Sequence, residues 1–500
     1  MHRRPWARSP WAWVGLGLAS AGPFAVGLGF GHVYDDRATI VGTAAARLSP
    51  FAIVEQCIRG TGRFPDLSRP AMVLSARFDH ALFGARPFGT HLTSLGLYVA
   101  ATVAAYGLAR VLLRRRTLAL AAALIWASLP VHAEVVVCAS YREDLFATLG
   151  VLGALAIVLA PAPQPIGWPR AACAASLFAL GLAGKESALA FVPLLGALAP
   201  TPRGEVLASL RRWAAPRARV LLALALVLVL YGVWRALLAQ SGDGVARAAS
   251  HVPHDDARYL VWVFARSFWP VEVDPLFRAL GPASAAWWLP ASVLVLSWVA
   301  LRTTTAGRAL AFVVLGGLVT APFVGPANER ADRYVVLTTF GVACLAALAL
   351  DALARRFGGD AERRTLALAL ALTALFGVRS ASASAPWASD LALWTYATER
   401  APDAPKAWQG RAWAERRAGD LDAAAQSLAR SLALDPSRPE TRLSSAYLSL
   451  ARGDAAGARA TLEALRADGH ASLPGFARAW RCASEPAGAR TAACLEEGLP

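Results

Sequence analysis

Asp35 and Asp36 stand side by side just after an apolar run, Trp11–Phe30. Carboxylates at the edge of an apolar segment are costly unless they are paired or put to use. An arbitrary acid pair in that place is most often a solvated helix end. Here the pair has company. Short polar segments that punctuate later apolar runs carry Arg69, His132, Glu134, Arg142, Glu143, Asp144, Lys185, Glu186, Glu329, Arg330, Asp332 and Arg333. Lys185 departs from the chain's own habit, since the sequence has two lysines, Lys185 and Lys406, against 48 arginines. A compact ammonium suits a phosphate; the bland alternative is a charge snorkelling from a helix end. His132 alone reads as a structural histidine. With Glu134 and Arg142 in one short loop it reads equally as the wall of a site, to which Asp144 and Glu186 would belong. Asn328–Arg333 sets Arg330 and Arg333 before another apolar run, where guanidinium groups could hold an anionic head group. Acids that take a proton from a hydroxyl, beside cations that stabilise a departing phosphate, suit transfer from a lipid-phosphate donor.

These residues need a frame, and the composition supplies it. Hydrophobic residues make up 56% of the 500-residue sequence and charged ones 17%; the mean hydropathy is +0.43. Apolar runs recur, each long enough to cross about 30 Å of hydrocarbon as a helix. In lipid such segments must satisfy their own backbone groups, so an all-α polytopic bundle is expected. Eleven membrane helices are expected near 11–31, 89–113, 117–131, 144–161, 171–184, 187–200, 219–239, 285–301, 309–325, 334–354 and 365–381. The stretch 259–277, interrupted by Arg266, Pro270 and Asp274, reads as interfacial or re-entrant. In the long loop 31–88, Phe51–Ile58 and Met72–Phe83 read as short amphipathic helices lying on the interface. Arg3, Arg4 and Arg8 before the first run fit a signal peptide, but the length of that run and the spans after it favour an uncleaved first helix.

With the N-terminus cytoplasmic, the compact basic clusters Arg114–Arg116, Arg211–Arg219 and Arg355–Arg364 all fall inside. The net charge of +16 therefore reads as topology signals rather than a nucleic-acid surface. The expected setting is a multi-pass inner (cytoplasmic) membrane protein, with the polar segments above and the C-terminal part outside. A transporter fits poorly, because transporters place binding residues near the bilayer midplane and these charges gather at one edge.

After Ser380 the apolar runs stop and Ala-rich helical pairs begin. Gly419-Asp420 recurs as Gly453-Asp454, and Ala424 and Leu428 recur as Ala458 and Leu462, an offset of 34 that marks a helical repeat. Trp408, Gly419, Ala424 and Pro436 fit the tetratricopeptide pattern, whose stacked pairs form a concave groove for peptides. The expected domains are 1–384 in the membrane and 385–500 as an extracytoplasmic repeat α-solenoid. The six cysteines contain no CxxC pair, which leaves zinc and redox motifs without support. Cys482 and Cys494 would be free to pair if the tail is exported. Asp35 and Asp36 could hold a divalent ion, though no ligand set of recognisable spacing accompanies them.

Several segments carry a family resemblance: YDDRATIV (34–41), SRPAMVLSARFDHALFGARPFGTHL (68–92), PVHAEVVVCASYREDLFATL (130–149), GLAGKESALAFVPLL (181–195), ERADRYVVLTTFG (329–341) and WASDLALWTYATERAPDAPKAW (387–408). In that order, followed by repeats, they resemble the TMTC-like transmembrane and tetratricopeptide-repeat proteins of the GT-C superfamily of membrane glycosyltransferases. The resemblance implies a GT-C fold, a polyprenyl-phosphate sugar donor and a general-base acid in the first outer loop, here Asp35 or Asp36 with Asp35 favoured. It maps the Lys-Glu motif to Lys185 and Glu186 and the Arg-Pro motif to Arg69 and Pro70. Where the family has Glu-Arg-Tyr-Leu-Tyr this chain has Asp332-Arg333-Tyr334-Val335-Val336, which favours Arg333 over Arg330 as the phosphate ligand. The expected reaction moves a sugar, mannose among the candidates, onto a hydroxyl such as Ser or Thr of an exported polypeptide held by the repeats. The competing expectation is a non-catalytic scaffold whose repeats recruit partners of the cell envelope.

Overall fold

The computed structural model describes residues 10–37, 40, 49–59, 69–162, 164–199, 206–240, 253–270, 284–321 and 331–485. Among these, every regular element is a helix. Each expected span meets one. The first, α1 (Pro10–Ala21), continues as a 3-10 segment over Gly22–Gly29. Then follow α2 (Pro50–Arg59), α3 (Pro70–Phe83), α4 (Pro87–Leu113), α5 (Arg116–Ala127), α6 (Ala133–Val137), α7 (Arg142–Leu159), α8 (Trp168–Gly184) and α9 (Phe191–Leu198). Next come α10 (Val206–Ala214), α11 (Ala218–Gln240), α12 (Pro253–Phe268), α13 (Trp288–Leu301), α14 (Thr305–Thr320), α15 (Thr338–Arg356) and α16 (Ala361–Ser384). Five helices among the described residues are long and apolar enough to cross a membrane, or six if α5 and the bent segment Pro130–Val137 count as one span. The chain is a multi-pass membrane protein. The others expected as spans are shorter, or, like α7, open with the charged run Arg142-Glu143-Asp144. The run expected to cross at 117–131 ends at Ala127 and bends by 55°. Pro130 has no N–H to continue the ladder there.

The bundle has two chemically different ends. At one, Arg115 meets Asp351 at 2.5 Å and Arg355 meets the same carboxylate at 2.8 Å. At the other stand the polar segments 31–37, 130–144, 185–186 and 332–334. Helix α15 has 19 residues and so runs about 28 Å from one end to the other, at 1.5 Å per residue. That is close to the thickness of a bilayer's hydrocarbon core. Close helix packing then brings particular polar residues together. A Cβ on Gly150 of α7 would lie 2.7 Å from the Gly181 Cα of α8. Small residues of this kind let two membrane helices approach backbone to backbone. The approach sets the first turn of α7 beside the last turn of α8, and with them Glu143 and Asp144 beside Lys185.

The C-terminal helices are α17 (Asp390–Arg400), α18 (Pro405–Arg417), α19 (Leu421–Leu434), α20 (Pro439–Ala451), α21 (Ala455–Ala467) and α22 (Phe476–Ser484). The repeated Gly-Asp pair builds each tight turn. Gly419 and Gly453 sit at φ +88 and +83, the left-handed conformation that closes a helix. Asp420 and Asp454 follow as N-caps, accepting the N–H of Ala423 at 3.0 Å and of Gly457 at 2.8 Å. Ala424 and Ala458 are fully buried where paired helices cross. Gly419→Ala is expected to cost about 1–2 kcal/mol through its left-handed φ. Hydrogen exchange should then rise roughly tenfold in 405–434 and stay unchanged in 87–113. Cys482 is disulfide-bonded; Cys494 lies outside the described residues.

Candidate functional site

Asp35 and Asp36 sit in a turn that leaves the membrane end of α1, and their surroundings differ. Asp36 is fully buried. It accepts the Ser140 N–H at 2.7 Å, with the Cys138 thiol and the Val33 N–H each at 3.4 Å. It pins the 31–37 segment to the loop before α7. Asp35 is only partly buried and accepts the Tyr141 hydroxyl at 2.7 Å. Burial pushes its carboxyl above the usual range, against the Tyr141 hydrogen bond and the cations Arg333 and Lys406. Burial also pushes the Tyr141 hydroxyl far up, so Tyr141 stays a donor. A carboxylate with a raised pKa at a partly open position has the properties of a general base.

Arg333 lies over the Tyr141 ring, 4.1 Å from its centroid, and 4.8 Å from the ring centroid of Tyr334. Its guanidinium donates to Glu134, whose other oxygen accepts the Arg333 N–H at 3.2 Å. The neighbouring Asp332 takes a two-pronged contact from Arg266 at 2.6 and 2.7 Å. Arg266, which interrupts the apolar stretch 259–277 in the sequence, thus anchors the turn that presents Arg333.

The Lys185 ammonium stands 5.2 Å from the same Tyr334 ring centroid. It bonds Asp144 at 2.6 Å and Glu143 at 3.0 Å. Burial opposes its charge, but the two acids outweigh burial and raise its pKa. Glu143 also accepts from Arg69 at 2.6 Å. Glu186 faces Arg69 at 3.6 Å and Arg235 at 3.4 Å. Asp35, Tyr141, Arg333, Tyr334, Lys185 and Arg69 therefore form one continuous polar lining: an acid at one end, three cations beyond it and two aromatic rings between.

Two expected wall residues lie inside the protein instead. His132 is fully buried, with Nδ1 2.7 Å from the Tyr98 hydroxyl and Nε2 2.9 Å from the Thr339 hydroxyl. Arg142, also fully buried, binds Asp79 at 2.5 Å, Ser75 at 3.2 Å, and the carbonyls of Ala139 and Thr90 at 3.0 and 2.9 Å. It is a strut between α3, α4 and the loop before α7. Arg330 and Glu329 lie outside the described residues. Tyr141, Tyr334, Arg235 and Arg266 join the expected site residues in space, though the sequence pattern gives none of them a role at the site. The first two stand beside selected residues in Tyr-Arg-Glu-Asp and Asp-Arg-Tyr, which is the signal that would have found them. Among the described residues no group of three or more His, Cys, Asp or Glu side chains could hold a metal ion.

No curated protein matches the sequence. A solved structure of the archaeal oligosaccharyltransferase AglB from Archaeoglobus fulgidus, in complex with an inhibitory peptide and a dolichol-phosphate, aligns over 82% of this chain. The TM-score is 0.39 and the sequence identity 13%, and this chain spans 60% of that structure's length. Residues 415–478 match the tetratricopeptide repeat family, in agreement with the Gly-Asp turns and buried alanines of α18 to α21.

Proposed function

We propose that the chain is a GT-C-type membrane glycosyltransferase that moves a sugar from a polyprenyl phosphate to a hydroxyl, with Ser or Thr of an exported polypeptide as the acceptor. The observation that carries this reading is the continuous lining from Asp35 through Tyr141, Arg333 and Tyr334 to Lys185. Asp35 takes the proton of the acceptor hydroxyl. The hydroxyl oxygen attacks the anomeric carbon from the face opposite the phosphate, and the carbon–oxygen bond to phosphate breaks with inversion. The phosphate leaves with the electron pair and is stabilised by Arg333, Lys185 and Arg69. Tyr141 bonds the base and carries Arg333 over its ring, and the Tyr334 ring lies against both Arg333 and Lys185, the two like charges. Asp36 serves as an anchor for the turn.

An apolar cavity of about 290 Å³ is lined by Cys57, Leu182, Leu230, Tyr231, Trp234 and Pro70, the residue that follows Arg69. It suits the first units of an isoprenoid chain whose phosphate meets Arg69. Helix α17 and the segment before it meet the lining: the Trp394 ring packs 5.5 Å from Tyr34 and the Trp387 ring 6.2 Å from Tyr141. A domain boundary at 384/385 leaves the repeats beside the acid pair, outside the membrane on the extracytoplasmic side of the inner membrane.

The second reading, a non-catalytic scaffold, draws on the same ion pairs, since Lys185, Arg333 and Arg69 each meet a carboxylate of the chain. One assay separates the two. Purified protein is incubated with radiolabelled polyprenyl-phosphate sugars and a periplasmic extract. Label entering a protein band is the expected result; unlabelled protein across all donors, from a sample that still binds partners through its repeats, selects the scaffold.

A further inference from the structure

One carboxylate joins the repeats directly to the acid pair. Asp390, the first residue of α17, accepts the Tyr34 N–H on Oδ1 at 2.8 Å and the Arg37 Nε–H on Oδ2 at 2.6 Å. It therefore bonds the residue before Asp35 and the residue after Asp36. Tyr34 has φ +51, the left-handed region that a side chain disfavours, so the turn persists only where its surroundings hold it. Much of that support comes from α17 and the segment before it. The Trp394 ring meets the Tyr34 ring edge-on at 84°, and Trp387 meets Tyr141, the donor to Asp35, at 86°. Asp390 is itself well held. It is buried at 7% exposure, and Ser389 caps the helix by accepting the Ala392 N–H at 3.2 Å.

We propose that Asp390 is a positioning residue: it fixes the left-handed Tyr34–Arg37 turn so that Asp35 faces the Tyr141–Arg333 lining. The seating of the helical repeats on the bundle thereby sets the geometry of the base. This rests on Asp35 being the base. It makes the repeats part of the active-site architecture as well as a place to hold an acceptor, and any tilt of α17 moves the acid pair.

The test compares Asp390→Ala with the conservative Asp390→Asn in the full chain, by steady-state transfer and by hydrogen exchange. Asp390→Ala is expected to lower kcat by about ten- to a hundredfold, the effect of a misplaced base, with donor KM within about twofold. Exchange in peptides spanning 31–37 should accelerate roughly tenfold, while 93–105 stays protected. Asp390→Asn keeps an acceptor for the Tyr34 N–H and should fall between Ala and wild type in both readings. Wild-type kcat and wild-type exchange in Asp390→Ala overturn the proposal; if that variant does not fold, the same pair of results in Asp390→Asn does so. If the wild-type chain itself transfers no sugar, faster exchange at 31–37 in Asp390→Ala still shows that Asp390 holds the turn, and it is the glycosyltransferase reading that fails.

Discussion

Asp35→Asn is expected to lower the rate of sugar transfer by about 10²- to 10⁴-fold, the usual contribution of a general base, and to leave the protein folded. The amide still accepts the Tyr141 hydroxyl, so the hydrogen bond that orients the side chain persists while the proton acceptor is lost. The parallel change at Asp36 should act differently. Asp36→Asn retains an oxygen for the Ser140 N–H and is expected to keep roughly a tenth or more of the rate, the loss being that of a weakened charge-assisted bond. An inactive Asp36→Asn beside an active Asp35→Asn would reverse the two roles. The pH profile gives a second reading. Asp35 must be ionised to accept a proton, and burial raises its pKa. The acidic limb of kcat/KM should therefore lie above about 3.9, the value of an unperturbed Asp, with activity falling as pH drops through it. The Tyr141 hydroxyl favours the ionised form. Tyr141→Phe should accordingly move that limb to higher pH, and a limb that stays in place removes Tyr141 from the base's surroundings.

The parts of this arrangement that sequence reveals are those written in local pattern. Apolar length gives the five long spans, because a helix in lipid must satisfy its backbone within a contiguous run. The Gly-Asp pairs at 419 and 453 give the repeats, because a left-handed closing residue and an N-cap are demanded by one tight turn. The long-range pairings are not written locally. Arg142 and His132 look alike as polar residues near a membrane edge, yet their partners Asp79, Thr90, Tyr98 and Thr339 lie 34 to 207 positions away. Only the packed bundle shows that both are enclosed. Asp35 and Asp36 are neighbours in the chain, and the left-handed Tyr34 decides which of them turns toward Ser140 and which toward Tyr141. Arg266 interrupts an apolar stretch in sequence and proves to be the anchor of Asp332 in space.

The same logic predicts how Arg333 fails. Glu134 is buried at 2% exposure and takes both the guanidinium and the backbone N–H of Arg333. Arg333→Met removes the cation and leaves that buried carboxylate without its guanidinium partner. Breaking a buried pair from one side costs about 3–5 kcal/mol, because the remaining charge is uncompensated. The single variant is therefore expected to lose both thermal stability in detergent and transfer, and the second loss is ambiguous by itself. Arg333→Met with Glu134→Gln removes both charges together, and such paired replacements are often neutral for stability. The double variant should melt close to wild type. If Arg333 stabilises the departing phosphate, it should still transfer sugar at least about a hundredfold more slowly, the scale of losing one preorganised donor at a developing charge. Recovery of transfer together with stability would confine Arg333 to a structural role and leave Lys185 and Arg69 as the cations that face the donor.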